Sequence, residues 1–275
     1  MLRSSRDRYA VALCPESLLA VRRRTGLRAT VDSKVSESFC APVSVPSWKP
    51  AVEALDRFAQ EHGARTGSLS LVLSNHFTRY LLVPWSERVV NAEELLNYVA
   101  AAFEDVYGDV SAGWHLRVSP ERPGSPRLAA AVDRELVEAV REVVGRSRLR
   151  ITSIQPHLMA AFNAFGQRRE TDFVFVVLEA SRLCMIAAQG GVWRHVSGAD
   201  APADPVALAM SLEREIELAG LSDETPPAVF VHATQWPALA LPALLGKSPQ
   251  MVPWKSPAGL DPTADAVFAM AALAV

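Results

Sequence analysis

Several features that would point directly to a function are scarce in this sequence. There are three cysteines in 275 residues, Cys14, Cys40 and Cys184. They lie far apart, with no CxxC pair and no histidine at ligand spacing, so neither a disulfide scaffold nor a zinc site is expected. A reducing cytoplasm is the expected compartment. Long apolar runs are also missing: the stretches 95–103 and 266–275 fall well short of the roughly 20 residues that cross a bilayer. The first residues, MLRSSRDRYAVALCPES, are basic, but their apolar part is short and holds Tyr9 and Pro15, so no secretion signal is expected. An excess of positive charge is lacking too. Lys plus Arg number 28 against 30 Asp plus Glu, a net charge of −2, and nucleic acid is not an expected partner.

What is present is an ordinary folded composition, 49% hydrophobic and 21% charged, at a length suited to one or two domains. Two short β-type runs flank Pro15-Glu16-Ser17, and 31–39 alternates as a third strand. The residues Val52, Leu55, Phe58 and Ala59 stand at helical spacing, with Gly63 as the stop. The spacing further predicts strands at 69–73, 80–83, 114–118, 128–132 and 151–154, and helices at 92–107, 134–145 and 157–165. Asn91 is the expected N-cap of the first of these helices, and Glu93 and Glu94 complement its dipole. After the charged stretch 167–171, taken as a boundary, the pattern restarts. Strands are predicted at 173–178, 183–188 and 192–196, with Gly190-Gly191 as a hairpin turn. A helix at 207–219, a strand at 229–232 and helices at 236–245 and 264–275 complete it. The order of a β-meander followed by helix and strand alternation thus occurs twice without any residue-level repeat. This predicts an α/β fold of two related lobes, 1–168 and a shortened 169–275, with mixed β-sheets flanked by helices.

Two such lobes resemble the actin-like (ribonuclease H-like) ATPase fold. The segments RYLLVPW, NAEELLNYVAAAFEDVYGD and LAAAVDRELVEAVREVVGRSRLRITSIQPHLMAAFNAF are similar to the actin-like cytoplasmic proteins of bacterial envelope machines. These are PilM of type IV pili and the cytoplasmic part of GspL of type II secretion. The resemblance implies a cytoplasmic scaffold, peripheral at the inner membrane, that binds the cytosolic tail of a bitopic membrane protein. It also implies an inserted subdomain at about 78–121, with the tail docked beside Tyr80, Leu82, Pro84 and Trp85 and the helix 94–103 nearby. A homo-oligomer or filament would be compatible with the same fold.

The resemblance further implies a nucleotide cleft, and here the residues depart from the pattern. Where the family has an Asp-Ile-Gly-like start, this chain has Ala12-Leu13-Cys14, followed by Pro15, Glu16 and Ser17. Ala12 has no group to bind a metal, and Pro15 lacks the backbone donor that phosphate would use. The second turn reads Glu179-Ala180-Ser181-Arg182, and no glycine stands at the adenosine position 229–235. The expected reading is therefore a pseudo-ATPase with no cofactor. The alternative is an active ATPase or kinase-like enzyme that binds ATP and Mg²⁺ with Glu16 or Glu179 as metal ligand. Other signals read as ordinary structure. Gly246-Lys247-Ser248 ends like a phosphate-binding loop, but Leu241 stands where its first glycine is required. The arginines 22–24 read as a solvated strand end, the scattered histidines as surface or core residues, and Cys14 and Cys184 as buried thiols.

Overall fold

The computed structural model describes residues 7–24, 30–40, 47–166, 172–221, 226–236 and 239–274, so the boundary expected at 167–171 lies outside the described residues. The chain opens with β1 (Asp7–Leu13), β2 (Ser17–Arg24) and β3 (Thr30–Ser38), followed by α1 (Lys49–His62) and β4 (Gly67–Leu73). Next come β5 (Thr78–Val83), α2 (Ala92–Tyr107), β6 (Trp114–Val118), β7 (Arg127–Asp133), α3 (Arg134–Gly145), β8 (Leu149–Pro156) and α4 (His157–Phe165). The second meander is β9 (Phe173–Leu178), β10 (Arg182–Gln189) and β11 (Val192–Asp200). It is followed by α5 (Pro205–Leu218), β12 (Ala228–His232), β13 (Gln250–Met251) and α6 (Ala269–Ala272).

The five-stranded sheets have the same topology. One runs β3-β2-β1-β4-β8 and the other β11-β10-β9-β12-β13. In each the meander is antiparallel and the two remaining strands are parallel to its first strand or to each other. The expected architectural duplication is thus present strand for strand. The central strands β1 and β9 are covered on both faces, which explains their unbroken apolar runs. Gly190 and Gly191 have φ of 57° and 78°. Both signs are positive, as the two-residue turn joining β10 to β11 requires.

In the first sheet one face carries Tyr9, which meets Phe58 of α1 edge-on at 5.5 Å, and α1 lies beside α3. The other face carries Ala10, Ala12, Leu19, Val21 and Val72, packed against Phe268 and Met270. In the second sheet Val174, Val176, Met185 and Val231 pack against Leu208, Leu212 and Ile216 of α5. The antiparallel sheet β5-β7-β6 is covered by α2 through Val83, Val99, Phe103 and Ala129, and its edge strand β5 runs against β11.

The chain divides into two compact units interleaved in sequence. Described residues within Met1–Phe77, Arg134–Ala164 and Trp254–Val275 form one, and those within Thr78–Asp133 and Phe165–Pro253 form the other. A linear division at 168 would put 254–275 with the second sheet. Instead Leu260, Phe268 and Met270 fill the apolar face of the first. The three-stranded sheet extends to Asp133, beyond the expected insert limit at 121. Two predicted helices are corrected. Residues 239–245 are not helical: Pro242 lacks the N–H that a helix would use, and Leu245 (φ 48°) and Gly246 (φ 77°) form a tight turn closed by the Leu244 and Lys247 bridge. The predicted 264–275 helix is a 3₁₀ turn (Ala266–Phe268) followed by the four-residue α6.

Candidate functional site

The first expected site is a pair of turns, each closing the first hairpin of its sheet. In one, the Cys14 N–H donates to the Ser17 carbonyl at 2.9 Å, just beyond the paired Leu13 and Leu18. In the other, the Glu179 N–H donates to the Arg182 carbonyl at 2.8 Å, just beyond Leu178 and Leu183. Register therefore makes Cys14 and Glu179 counterparts, and Ala12 the counterpart of Val177.

Around the first turn, Ala12 is fully buried in the apolar cluster and the Cys14 thiol points at Met270 Sδ, 3.7 Å away. Pro15 and Ser17 are half-buried and Glu16 is exposed. Around the second turn, Glu179 is buried, Ala180 and Ser181 are exposed, and Arg182 is half-buried. The Arg182 guanidinium lies 3.6 Å from Asp200, and a Cβ added at Gly198 would meet its Nη2 at 2.9 Å. Burial pushes the thiol of the adjacent Cys184 up to about 12, so it is held as the neutral thiol. Sequence reasoning missed Trp236, which follows β12. Its indole N–H donates to the Glu179 carbonyl at 3.2 Å and its ring packs on the apolar cluster of the second sheet. An aromatic residue just after a buried strand was the available signal, obscured by the helix assigned to 236–245.

These residues do not fit a magnesium nucleotide. At the position the resemblance assigns to a metal carboxylate Ala12 presents a methyl group, Pro15 offers no donor, and the Cys14 thiol faces a thioether. Among the described residues no three His, Cys, Asp or Glu side chains gather as a metal site. His76 bonds Ser74 at 2.9 Å and His195 pairs with Glu215 at 3.1 Å. The Gly246-Lys247-Ser248 stretch is a turn in which Lys247 Nζ donates to the Pro226 carbonyl. Arg22 and Arg24 both pair with Asp32 at 2.9 Å.

The second expected site is the strand β5 and the residues beyond it. Leu81 and Val83 face α2, while Tyr80 and Leu82 alternate onto the opposite face of the strand, Tyr80 buried and Leu82 half-buried. Pro84 is exposed and Trp85 is half-buried. The Arg127 guanidinium lies over the Trp85 ring, 5.4 Å from its centroid. Asn91 caps α2 as expected. Its side chain accepts from the Glu94 N–H at 2.9 Å, and Glu94 in turn accepts from the Val90 N–H at 2.9 Å.

No protein-family model matches the chain. No curated protein matches it by sequence. Solved structures do match. In the PilM–PilN type IV pilus biogenesis complex, one chain aligns over 97% of both chains with a TM-score of 0.66 and 15% identity. The cytoplasmic domain of EpsL, an inner membrane component of the Vibrio cholerae type II secretion system, aligns over 98% of this chain and 94% of its own, with a TM-score of 0.59 and 14% identity. A Bacteroides thetaiotaomicron protein with an actin-like ATPase fold and unknown function aligns over 84% and 82%, with a TM-score of 0.55 and 7% identity. The fold is actin-like. No helix among the described residues is long and apolar enough to cross a membrane.

Proposed function

We propose that this chain is a non-catalytic actin-like platform that binds the cytosolic segment of an inner-membrane component in a pilus or type II secretion-like machine. The observation that carries the reading is the alignment with the PilM–PilN complex structure over nearly the whole of both chains. The chemistry of the turns supports the non-catalytic part. Ala12, Pro15 and Cys14 remove metal ligand, backbone donor and turn glycine together, and the stretch 229–235 that the resemblance assigns to adenosine holds no glycine. The protein works at the cytoplasmic face, held there by its partner.

The partner segment docks on the inserted subdomain beside Pro84 and Trp85. An extended segment gains main-chain hydrogen bonds at a strand edge and specificity from an aromatic anchor. Trp85 suits that role because its ring is half-exposed and carries the Arg127 guanidinium.

Two measurements test the proposal. Titration calorimetry with Mg-ATP is expected to give no binding. Micromolar binding with turnover abolished by Glu179→Ala would establish the active ATPase instead. Co-expression with cytosolic segments of bitopic pilus and secretion proteins is expected to yield a complex that Trp85→Ala weakens at least tenfold. The same variant should lose only about 1 to 2 kcal/mol of stability, below the roughly 3 to 5 kcal/mol for truncating a fully buried tryptophan. A complex indifferent to Trp85, or a collapsed melting temperature in the variant, would withdraw the docking site.

A further inference from the structure

The arginines 22–24 separate once the strands pair. Arg22 and Arg24 share one face of β2 and both meet Asp32, whereas Arg23 turns to the opposite face. There it stands directly across from Arg8 of β1, Arg8 is in register with Ser68 of β4, and Ser68 with Arg150 of β8. A single row of the sheet therefore reads Arg23, Arg8, Ser68, Arg150. The C-terminal segment covers this face of the sheet further along, at Ala12, Leu19 and Val72, and leaves the row at the wall of a cleft of about 640 Å³. Ser70 and Thr152, bonded to each other at 2.8 Å, line the same cleft, and no acidic side chain is among its described lining residues.

Among the described residues no carboxylate pairs with this row. Arg23 Nε is buried and has no hydrogen-bond partner among the described residues. Burial, together with the neighbouring Arg8 charge, lowers the Arg23 pKa. Like charges directly across a strand pair repel, so a multiply charged anion would relieve the row. We propose that this cleft binds a small, soluble organic phosphate. Arg8 and Arg23, one strand apart, suit a dianionic phosphate through bidentate forks, and a carboxylate carries too little charge for both. Arg150 lies two strands, or about 10 Å, from Arg8 and takes a second charged group, with the serine and threonine hydroxyls between them. The volume is that of a ligand site rather than of a bare ion. The row sits six residues of β1 before Cys14, roughly 20 Å along the strand, so it is separate from the turn at 14–17.

The test uses the full chain and sodium pyrophosphate as probe, at low ionic strength. Calorimetry is expected to show one saturable site, weakened tenfold or more in Arg8→Gln and in Arg150→Gln and unchanged in Ser181→Ala. Both arginines are exposed, so these variants keep the fold. Arg23→Met is expected to raise the melting temperature of the free protein while abolishing the rise that pyrophosphate causes in the wild type. Absence of saturable binding, binding indifferent to Arg8 and Arg150, or a lowered melting temperature in Arg23→Met would overturn the proposal. Binding only to phosphatidylglycerol vesicles would also overturn it, by showing a lipid surface site instead.

Discussion

Cys184 and Cys14 lie beside the two hairpin turns in chemically silent settings. One thiol is pushed up to about 12 by burial and the other faces Met270. Thiolate is the reactive form, so neither is expected to act as a nucleophile. Cys40 is exposed. Ellman's reagent at pH 8 should therefore modify one thiol in the native protein and all three after denaturation, and two fast native thiols would show that a turn is open. Single residues also set the limit of what the sequence discloses. Ala12, Cys14 and Pro15 are legible because they depart from a pattern at known positions. The arginine row is not legible: Arg8, Arg23 and Arg150 become neighbours only through strand register, which periodicity within a strand does not specify. Trp236 was hidden for a related reason, since its partner Glu179 lies 57 residues earlier.

Among the elements, the segment leading into α6 behaves as a strap fastened by carboxylates. Asp265 accepts from Lys34 Nζ at 2.7 Å and from the Asp261 N–H at 2.9 Å, contacts that hold its carboxyl below the ordinary 3.8. Asp261 is lowered in the same direction by the Ala264 and Thr263 N–H groups. A carboxyl whose folded pKa is depressed adds stability above its unfolded value and loses it as pH falls through the folded one. Urea midpoints are expected to be insensitive to these groups above about pH 5 and to drop below pH 4. Asp265→Asn should lower the midpoint at pH 7 and make the acid drop shallower. An identical acid limb in the variant would exclude Asp265 from the fastening. Most other elements follow from the sequence because their patterns are local: alternation in β3, the capped first turn of α2, two glycines between β10 and β11. The strap and residues 239–245 do not. Their apolar residues look helical in isolation, yet Pro242, Leu245 and Gly246 turn the chain, and Phe268 and Met270 are placed by Ala10, Leu19 and Val72 of the sheet, more than 190 positions earlier.

For the whole molecule, the decisive feature is that one unit is assembled from the first, middle and late parts of the chain, whereas the other is interrupted once. Backbone bonds make the closure concrete. The Val31 N–H donates to the Ala258 carbonyl at 2.8 Å, and a Cβ added at Gly259, where φ is 95°, would meet the Val31 carbonyl at 2.2 Å. Gly259→Ala is therefore expected to destabilise the protein more than Gly124→Ala, where no atom lies within 4 Å of the added methyl. Comparison of their thermal midpoints checks this. Domains fold while the ribosome is still adding about 5 to 20 residues per second, and residues 254–274 are made after everything they cover. Until they emerge, Ala10, Leu19, Val21 and Val72 face water. The strands synthesised first are thus covered on this face only near the end of synthesis, and the nascent chain carries that apolar face through most of its own translation, where a chaperone that holds apolar strands would find its client.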